Sequence, residues 1–331
     1  GGASFVNGVL RAIARAPRLE DWPVEEDDPV RRLAIEMSHP DFLVARWVQR
    51  LGEAAARDLM AANNQPKPMQ LLAFRDRGGR ELLAEQLIDE GIEVEPASFS
   101  SLGLTVRRGN PLATAAFARG DFYIQDEVSQ AAAIIPFPRP GEMVLDAAAA
   151  PGGKSFSLIA HEPSVRVTAA DVSTLRIGVL RANLLRLRRS LPLYVGDAGL
   201  PPLQRPFDRM ILDLPCTGTG TLRRHPELKW RISEGEIGRL SRQALRILGG
   251  AAPLVAPGGH LVAITCSLER EENEDIVSRF LATHSEFSRV ALEDVLETPL
   301  ASGICGPGTW RVPTGGDHDG FSLSLLAKAR I

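Results

Sequence analysis

Between residues 143 and 265, short apolar runs recur, and each leads to a residue that can do chemistry. Met143, Val144 and Leu145 lead to Asp146; the run 165–170 leads to Asp171; Val195 leads to Gly196 and Asp197; 207–212 leads to Asp213; 260–265 leads to Cys266. Runs of this length suit buried strands. The segments between them carry helical spacing from Gly153 onward, over 173–188 and over about 233–248. Strand and helix in alternation admit few folds. They predict an α/β fold: an open parallel sheet with helices on both faces, whose ligands lie at the C-terminal ends of the strands.

The 331 residues suffice for about two domains, and 44% hydrophobic with 24% charged residues excludes wholesale disorder. No run approaches the roughly 18 to 20 apolar residues of a membrane span, so no membrane partner is expected. No basic start followed by an apolar stretch marks a signal peptide. The first residue is Gly1, as in a trimmed or partial chain. The three cysteines, Cys216, Cys266 and Cys305, include no C-x-x-C pair. That spacing argues against a disulfide framework and a cysteine zinc site, and predicts a reducing cytoplasm and no metal. A net charge of −3 conceals clustered arginines and does not exclude nucleic acid.

Three regions separate. Residues 1–62 read as helical, with Phe5, Val6, Val9, Leu10 and Ile13 at helical spacing and again Phe42, Leu43, Trp47, Val48 and Leu51. An acidic, proline-bearing stretch over 20–29 reads as a solvated linker, because clustered like charges resist compaction. Residues 63–120 read as a small α/β module: strand 70–74, helix 80–89 stopping at Gly91, strand 102–107. Residues 121–331 carry the main strand–helix alternation.

Four constellations sit at the strand ends. DAAAAPGGKS at 146–155 is a small-residue turn opening a helix, where small side chains let a ligand approach the backbone. It is not a phosphate loop, since that pattern needs glycine where Ala148 stands, and the G-x-G-x-x-G dinucleotide pattern is absent. Asp171, placed 25 residues after Asp146, stands where α/β sheets hold ribose hydroxyls, and Asp197 stands where an adenine edge would lie. Each acid alone also suits a helix cap, but three at successive strand ends suggest a nucleoside cofactor. DLPCTGTG at 213–220 and TCS at 265–267 put two cysteines, 50 residues apart in sequence, at neighbouring strand ends. A lone cysteine suits an inert buried thiol. Two at a ligand-facing rim, one of them three residues after Asp213, suit nucleophilic chemistry.

The set DAAAAPGGKS, DLPCTGTG and TCSLEREENE closely resembles the Sun-type RNA cytosine-C5 methyltransferase family, as do YIQDEVSQ at 123–130, RRHPELKW at 223–230 and DGF at 319–321. FVNGVLR at 5–11 resembles the tail of a NusB-like RNA-binding domain, which points to the bacterial branch acting on 16S rRNA. Residues 121–331 carry the resemblance firmly and 39–120 loosely. It implies a Rossmann-like methyltransferase sheet, a small RNA-binding module over 63–120 and a helical N-terminal segment. It also implies S-adenosyl-L-methionine held by Ala148, Ala149, Ala150, Pro151, Gly152, Gly153, Lys154, Asp171, Arg176, Asp197 and Asp213. Cys266 matches the family nucleophile, and Cys216 the cysteine that assists product release. Ala148 and Thr217 stand where the family usually has Cys and Ser.

Cytosine C5 is a poor nucleophile, and thiolate addition at C6 makes it an enamine carbon. Asp213 would then hydrogen-bond the base at N3 or its amino group. The base must leave its stack, so single-stranded or looped RNA is the expected partner, and a monomer is expected. Arg223, Arg224, Lys229 and Arg231 would contact RNA phosphates. Arg176, Arg181, Arg186, Arg188 and Arg189 read as a solvated helix face, and Trp230 as a core anchor rather than a stacking surface. The alternatives are a tRNA substrate, a DNA cytosine-C5 methyltransferase using Cys216, and a non-catalytic RNA-binding ribosome-assembly factor. The second rim cysteine argues against the DNA enzyme; intact cysteines and acids argue against the scaffold. An amino-methyltransferase would need an aromatic residue that DLPC lacks.

Overall fold

A computed structural model describes residues 2–15, 26–201, 203, 205–297 and 299–330. The chain divides into two compact units, Gly1–Ala61 and Ala62–Ile331. In the first, α1 (Gly2–Arg15) has its apolar stripe exposed, Phe5 and Leu10 included. α2 (Pro29–Met37) starts at Asp28, whose carboxylate accepts the Val30 and Arg31 amides at 2.8 and 3.3 Å. The linker expected over 20–29 is therefore replaced at its end by a capped helix, and its residues 20–25 lie outside the described residues. α3 (Asp41–Leu51) buries Leu43, Val44 and Trp47, and α4 (Glu53–Asn63) closes the segment.

The second unit begins with a four-stranded antiparallel sheet. Its strands are β1 (Gln70–Ala73), β2 (Glu93–Pro96), β3 (Gly103–Arg108) and β4 (Phe122–Ile124), in the order β2-β3-β1-β4. α5 (Gly79–Asp89) and α6 (Ala115–Arg119) accompany it. The fourth strand lies beyond the boundary expected at residue 120, because Leu71, Leu72 and Ala73 pair with Ile124, Tyr123 and Phe122. α7 (Glu127–Ala133) follows at once, capped by Asp126.

The main sheet follows. β5 (Met143–Asp146), α8 (Gly153–His161), β6 (Arg166–Asp171), α9 (Thr174–Arg186) and β7 (Leu193–Val195) run outward in one direction. β8 (Phe207–Asp213), α10 (Glu234–Ala251) and β9 (Val255–Thr265) then return to the other side of β5. All five strands are parallel, so chain order reverses between β5 and β8, the place where an open α/β sheet forms its binding crevice. The C-terminal elements depart from the all-parallel expectation. α11 (Glu274–Leu281) leads to β10 (Phe287–Arg289), β11 (Ile304–Gly306), β12 (Thr309–Val312) and β13 (Phe321–Lys328), all antiparallel, giving nine strands in one mixed sheet. This is a Rossmann-like architecture. Strand alternation divides the core. Ile211, Val262 and Ile264 face one apolar cluster, while Met210, Leu212 and Leu261 face the other. Among the described residues, no helix is long and apolar enough to cross a membrane.

Candidate active site

At the switch between β5 and β8 a cavity of about 210 Å³ opens, lined by Ala147, Ala148, Asp171, Asp197, Asp213 and Pro215, with Arg176, Arg246 and Ile247 on its sides. Asp171 is buried at the end of β6. It accepts the Ser173 and Ala150 amides at 3.0 and 3.3 Å, and Arg176 stands 3.5 Å away. Asp197 lies past β7 and pairs with Arg246 at 3.0 Å. That hydrogen bond, with a second from the Gly199 amide, holds its carboxyl below the usual range.

The rest of the small-residue turn serves the fold. Ala149 and Ala150 are buried, and the Ala149 amide donates to Ala170 O at 2.8 Å. Gly152 adopts φ 120°, and a Cβ there would strike the Phe156 ring, so helix packing demands this glycine rather than ligand approach. Gly153 opens α8 against the Gln125 side chain. Thus Ala148, Asp171, Arg176, Asp197 and Asp213 reach the cavity, whereas Ala149, Ala150, Pro151, Gly152, Gly153 and Lys154 are not on its lining. Asp146 is fully buried, accepts from Ser155 Oγ at 2.7 Å, and is pushed by burial up to about 6.

Asp213 joins this cavity to the thiols. Its Oδ2 accepts from Lys154 Nζ at 2.6 Å. Burial pulls the Lys154 ammonium down, but Asp213 more than offsets this and raises it. Beside the pair, Cys216 Sγ and Cys266 Sγ lie 3.4 Å apart. The hydrogen bond with Cys266 and burial hold Cys216 well above the usual thiol range. Cys266 is lowered by the Cys216 hydrogen bond, against burial and Asp213, with help from the Lys154 charge and a Thr221 hydrogen bond. The two thiols are therefore unequal, and Cys266 is the more readily ionised of the pair.

Sequence reasoning missed the groups that hold this pair. Glu272 is buried, accepts from Thr217 N at 2.8 Å and Thr217 Oγ1 at 2.7 Å, and is raised by burial. Asn273 accepts from Thr265 Oγ1 at 2.6 Å and donates to the carbonyls of Ser267 and Glu269. Gly220 donates its amide to Cys266 O at 2.9 Å and accepts from Gly320 N at 2.7 Å; a Cβ on Gly220 would collide with the Gly320 carbonyl. Membership of the DLPCTGTG, TCSLEREENE and DGF motifs is the one signal these residues carried.

Several basic residues are placed otherwise than expected. Arg223 donates to the carbonyls of Gln65, Pro66, Gly315, Gly316 and His318, so it ties three segments together instead of offering an open phosphate contact. Lys229 is buried and donates to Asn64 Oδ1 at 2.5 Å. Arg224 pairs with Asp319 at 2.5 Å with its side chain still partly exposed, and Arg231 is exposed. The α9 arginines are not a simple solvated face. Arg189 grips Asp76 at 2.6 and 2.7 Å, and Arg186 donates to the Phe122 carbonyl while lying over the Phe117 ring. Trp230, expected as a core anchor, is 66% exposed. Among the described residues, no group of three or more His, Cys, Asp or Glu stands together as metal ligands.

Residues 133–327 match the family described as 16S rRNA methyltransferase RsmB/F, and 39–113 match the ferredoxin-like domain of RsmF/B-like methyltransferases. The chain is 35% identical over 302 residues to a probable ribosomal RNA small subunit methyltransferase B of Bacillus subtilis, covering 87% of this chain and 65% of that protein. It is 32% identical to the ribosomal RNA small subunit methyltransferase B of Pectobacterium atrosepticum, covering 98% of this chain and 73% of that one. The crystal structure of PH0851 superposes with a TM-score of 0.83 at 30% identity, over 93% of this chain and 70% of that chain. The chain belongs to the RsmB/F family of 16S rRNA methyltransferases.

Proposed function

We propose that the protein transfers a methyl group from S-adenosyl-L-methionine to C5 of a cytosine in 16S rRNA through a covalent bond between Cys266 Sγ and cytosine C6. The observation that carries this is the unequal thiol pair, 3.4 Å apart, beside the Lys154–Asp213 pair at the edge of a carboxylate-lined cavity. The cavity suits a nucleoside: Asp171 and Asp197 offer acceptors for hydroxyl and amino groups, Ala147 and Ala148 leave room, and Pro215 and Ile247 give apolar walls. S-Adenosyl-L-methionine bound there supplies an electrophilic methyl group.

The chain's own residues do the rest. Cys266 adds to C6, and electron density moves to C5, the carbon to be methylated. Lys154 favours the thiolate that must attack. Asp213 is placed at the junction of cavity and thiols, where it can bind the base as charge shifts onto its N3 edge. Loss of the C5 proton to a base then re-forms the C5–C6 double bond and breaks the C6–Sγ bond, and Cys216, hydrogen-bonded to Cys266 Sγ, assists as that thiolate leaves. A reducing cytoplasm suits this mechanism, because both thiols must stay free. The relatives' names give the small-subunit rRNA as substrate.

The test is to incubate wild type, Cys216→Ala and Cys266→Ala with S-adenosyl-L-methionine and unmodified 16S rRNA. We expect a denaturation-resistant protein–RNA adduct to accumulate in Cys216→Ala and to be absent from Cys266→Ala. Methyl transfer should fall by at least about 10⁴-fold in Cys266→Ala. Transfer that survives loss of Cys266 would refute the covalent route. An rRNA left unmodified by wild type, with tRNA methylated, would move the substrate.

A further inference from the structure

The short 3₁₀ helix Pro226–Trp230 ends in an indole that the fold leaves uncovered. Trp230 is 66% exposed, whereas Trp47 and Trp310 are completely buried. The base under it is firm. Lys229 is buried beside Asn64, Ile232 is buried, and the Arg231 and Ile232 amides both donate to Leu228 O. A rigidly mounted aromatic facing water is a recognition surface in waiting.

Gly218 shows where that surface lies. A Cβ built on it would stand 3.2 Å from Leu228 Cδ1 and 3.8 Å from Cys266 Sγ. Leu228 and the Cys266 sulfur therefore flank one residue, and Trp230 follows Leu228 by two positions in the same short helix, within one helical turn of that contact. The surroundings are mainly basic. Arg231, Arg224 and His225 are exposed; Arg224 shares its charge with Asp319, and Glu227 is the acid of the turn, 3.7 Å from His225 Nδ1.

We propose that Trp230 is a stacking platform for the base next to the target cytosine in single-stranded RNA, with Arg231 serving the adjoining phosphate. The proposal rests on the RNA reading above. A cytosine drawn out to Cys266 leaves its neighbour with one face unstacked. An indole at the rim replaces the lost face, and because every base has a π-face, the contact tolerates sequence.

The test uses the whole chain with unmodified 16S rRNA and compares wild type, Trp230→Ala and Trp230→Phe. Loss of one base–aromatic stack should raise KM for RNA about tenfold in Trp230→Ala, with single-turnover transfer at saturating RNA within about twofold of wild type. Trp230→Phe should restore most of the affinity. Wild-type tryptophan emission should be quenched by RNA, and the quench should vanish in Trp230→Phe, a readout that a merely structural role would not move. An active wild type with KM unchanged in Trp230→Ala and the quench retained in Trp230→Phe would overturn the proposal and leave the indole to a protein partner. A wild type that neither methylates nor binds rRNA or tRNA would instead bring down the RNA reading, and this inference with it.

Discussion

Asp171 and Asp197 meet their cavity with only local partners, one arginine and one or two nearby backbone amides each, at the ends of outward-running strands. Cys216 and Cys266 reach theirs through a mesh: Glu272 to Thr217, Asn273 to Thr265 and Ser267, Gly220 to Cys266 and Gly320. The cavity side presents single groups on strand ends, so its contributions to binding should separate residue by residue. The thiol side depends on three distant stretches, around 216, 270 and 320, agreeing on one geometry. Errors there should spread to rate, proton placement and stability together.

The sharpest break should come at Lys154. Lys154→Met removes the ammonium that favours the Cys266 thiolate and leaves Asp213 unpaired beside it, so the Cys266 pKa rises. We expect methyl transfer to fall by about 10² to 10³-fold and its increase with pH to move to higher pH, measured as single-turnover rate against pH. A profile that falls in height without shifting would show that Lys154 does not act through the thiolate.

On the cavity side the effect should be smaller and of another kind. Asp171→Asn should weaken S-adenosyl-L-methionine about 10 to 100-fold by titration calorimetry, the value of charge-assisted hydrogen bonds, while turnover at saturating cofactor stays close to wild type. Equal affinity in the variant would remove Asp171 from the site.

Glu272 separates charge from shape. Glu272→Gln keeps an acceptor for the Thr217 amide but removes a negative charge that raises Cys216. Cys216 should then ionise at lower pH, and the fraction of trapped adduct should change by about tenfold or less, with its pH dependence displaced downward. Glu272→Ala also strands two buried donors on Thr217, and its stability should drop by about 2 kcal/mol in denaturant titration. An adduct fraction that ignores the charge would make Glu272 a structural tie and nothing more.

The outward half of the site was largely legible in the sequence, because strand period and terminal acids are local signals. Asp171, Asp197 and Asp213 reach the cavity as their positions imply. Gly152 also answers to Phe156, a contact no local pattern announces. Arg223 and Lys229 read as surface charge, yet both are committed to partners far away in sequence, at residues 64–66 and 315–318. β10, β11 and β12 escaped notice because they are only three or four residues long, and β13 because serines break up its apolar run. Glu272 was hidden inside a charged stretch that resembles an ordinary helix start.

One consequence follows from the placement of β4. The last strand of the small sheet runs within three residues into α7 of the catalytic layer, and across that splice Gln70 and Glu127 exchange hydrogen bonds at 2.8 and 2.9 Å. Lys67 bridges Asp126 and Asp319, and Arg77 donates to Leu187 O at 2.6 Å. The two sheets are therefore one machined part rather than two modules on a hinge. Cutting the chain at residue 120 would take Gln70 and the Phe99 amide from Glu127 and the Lys67 ammonium from Asp126. On the proposed function, anything the small sheet grips would be held at a fixed offset from Cys266, and the enzyme would select its nucleotide as a jig selects a drill hole, by distance from a held edge.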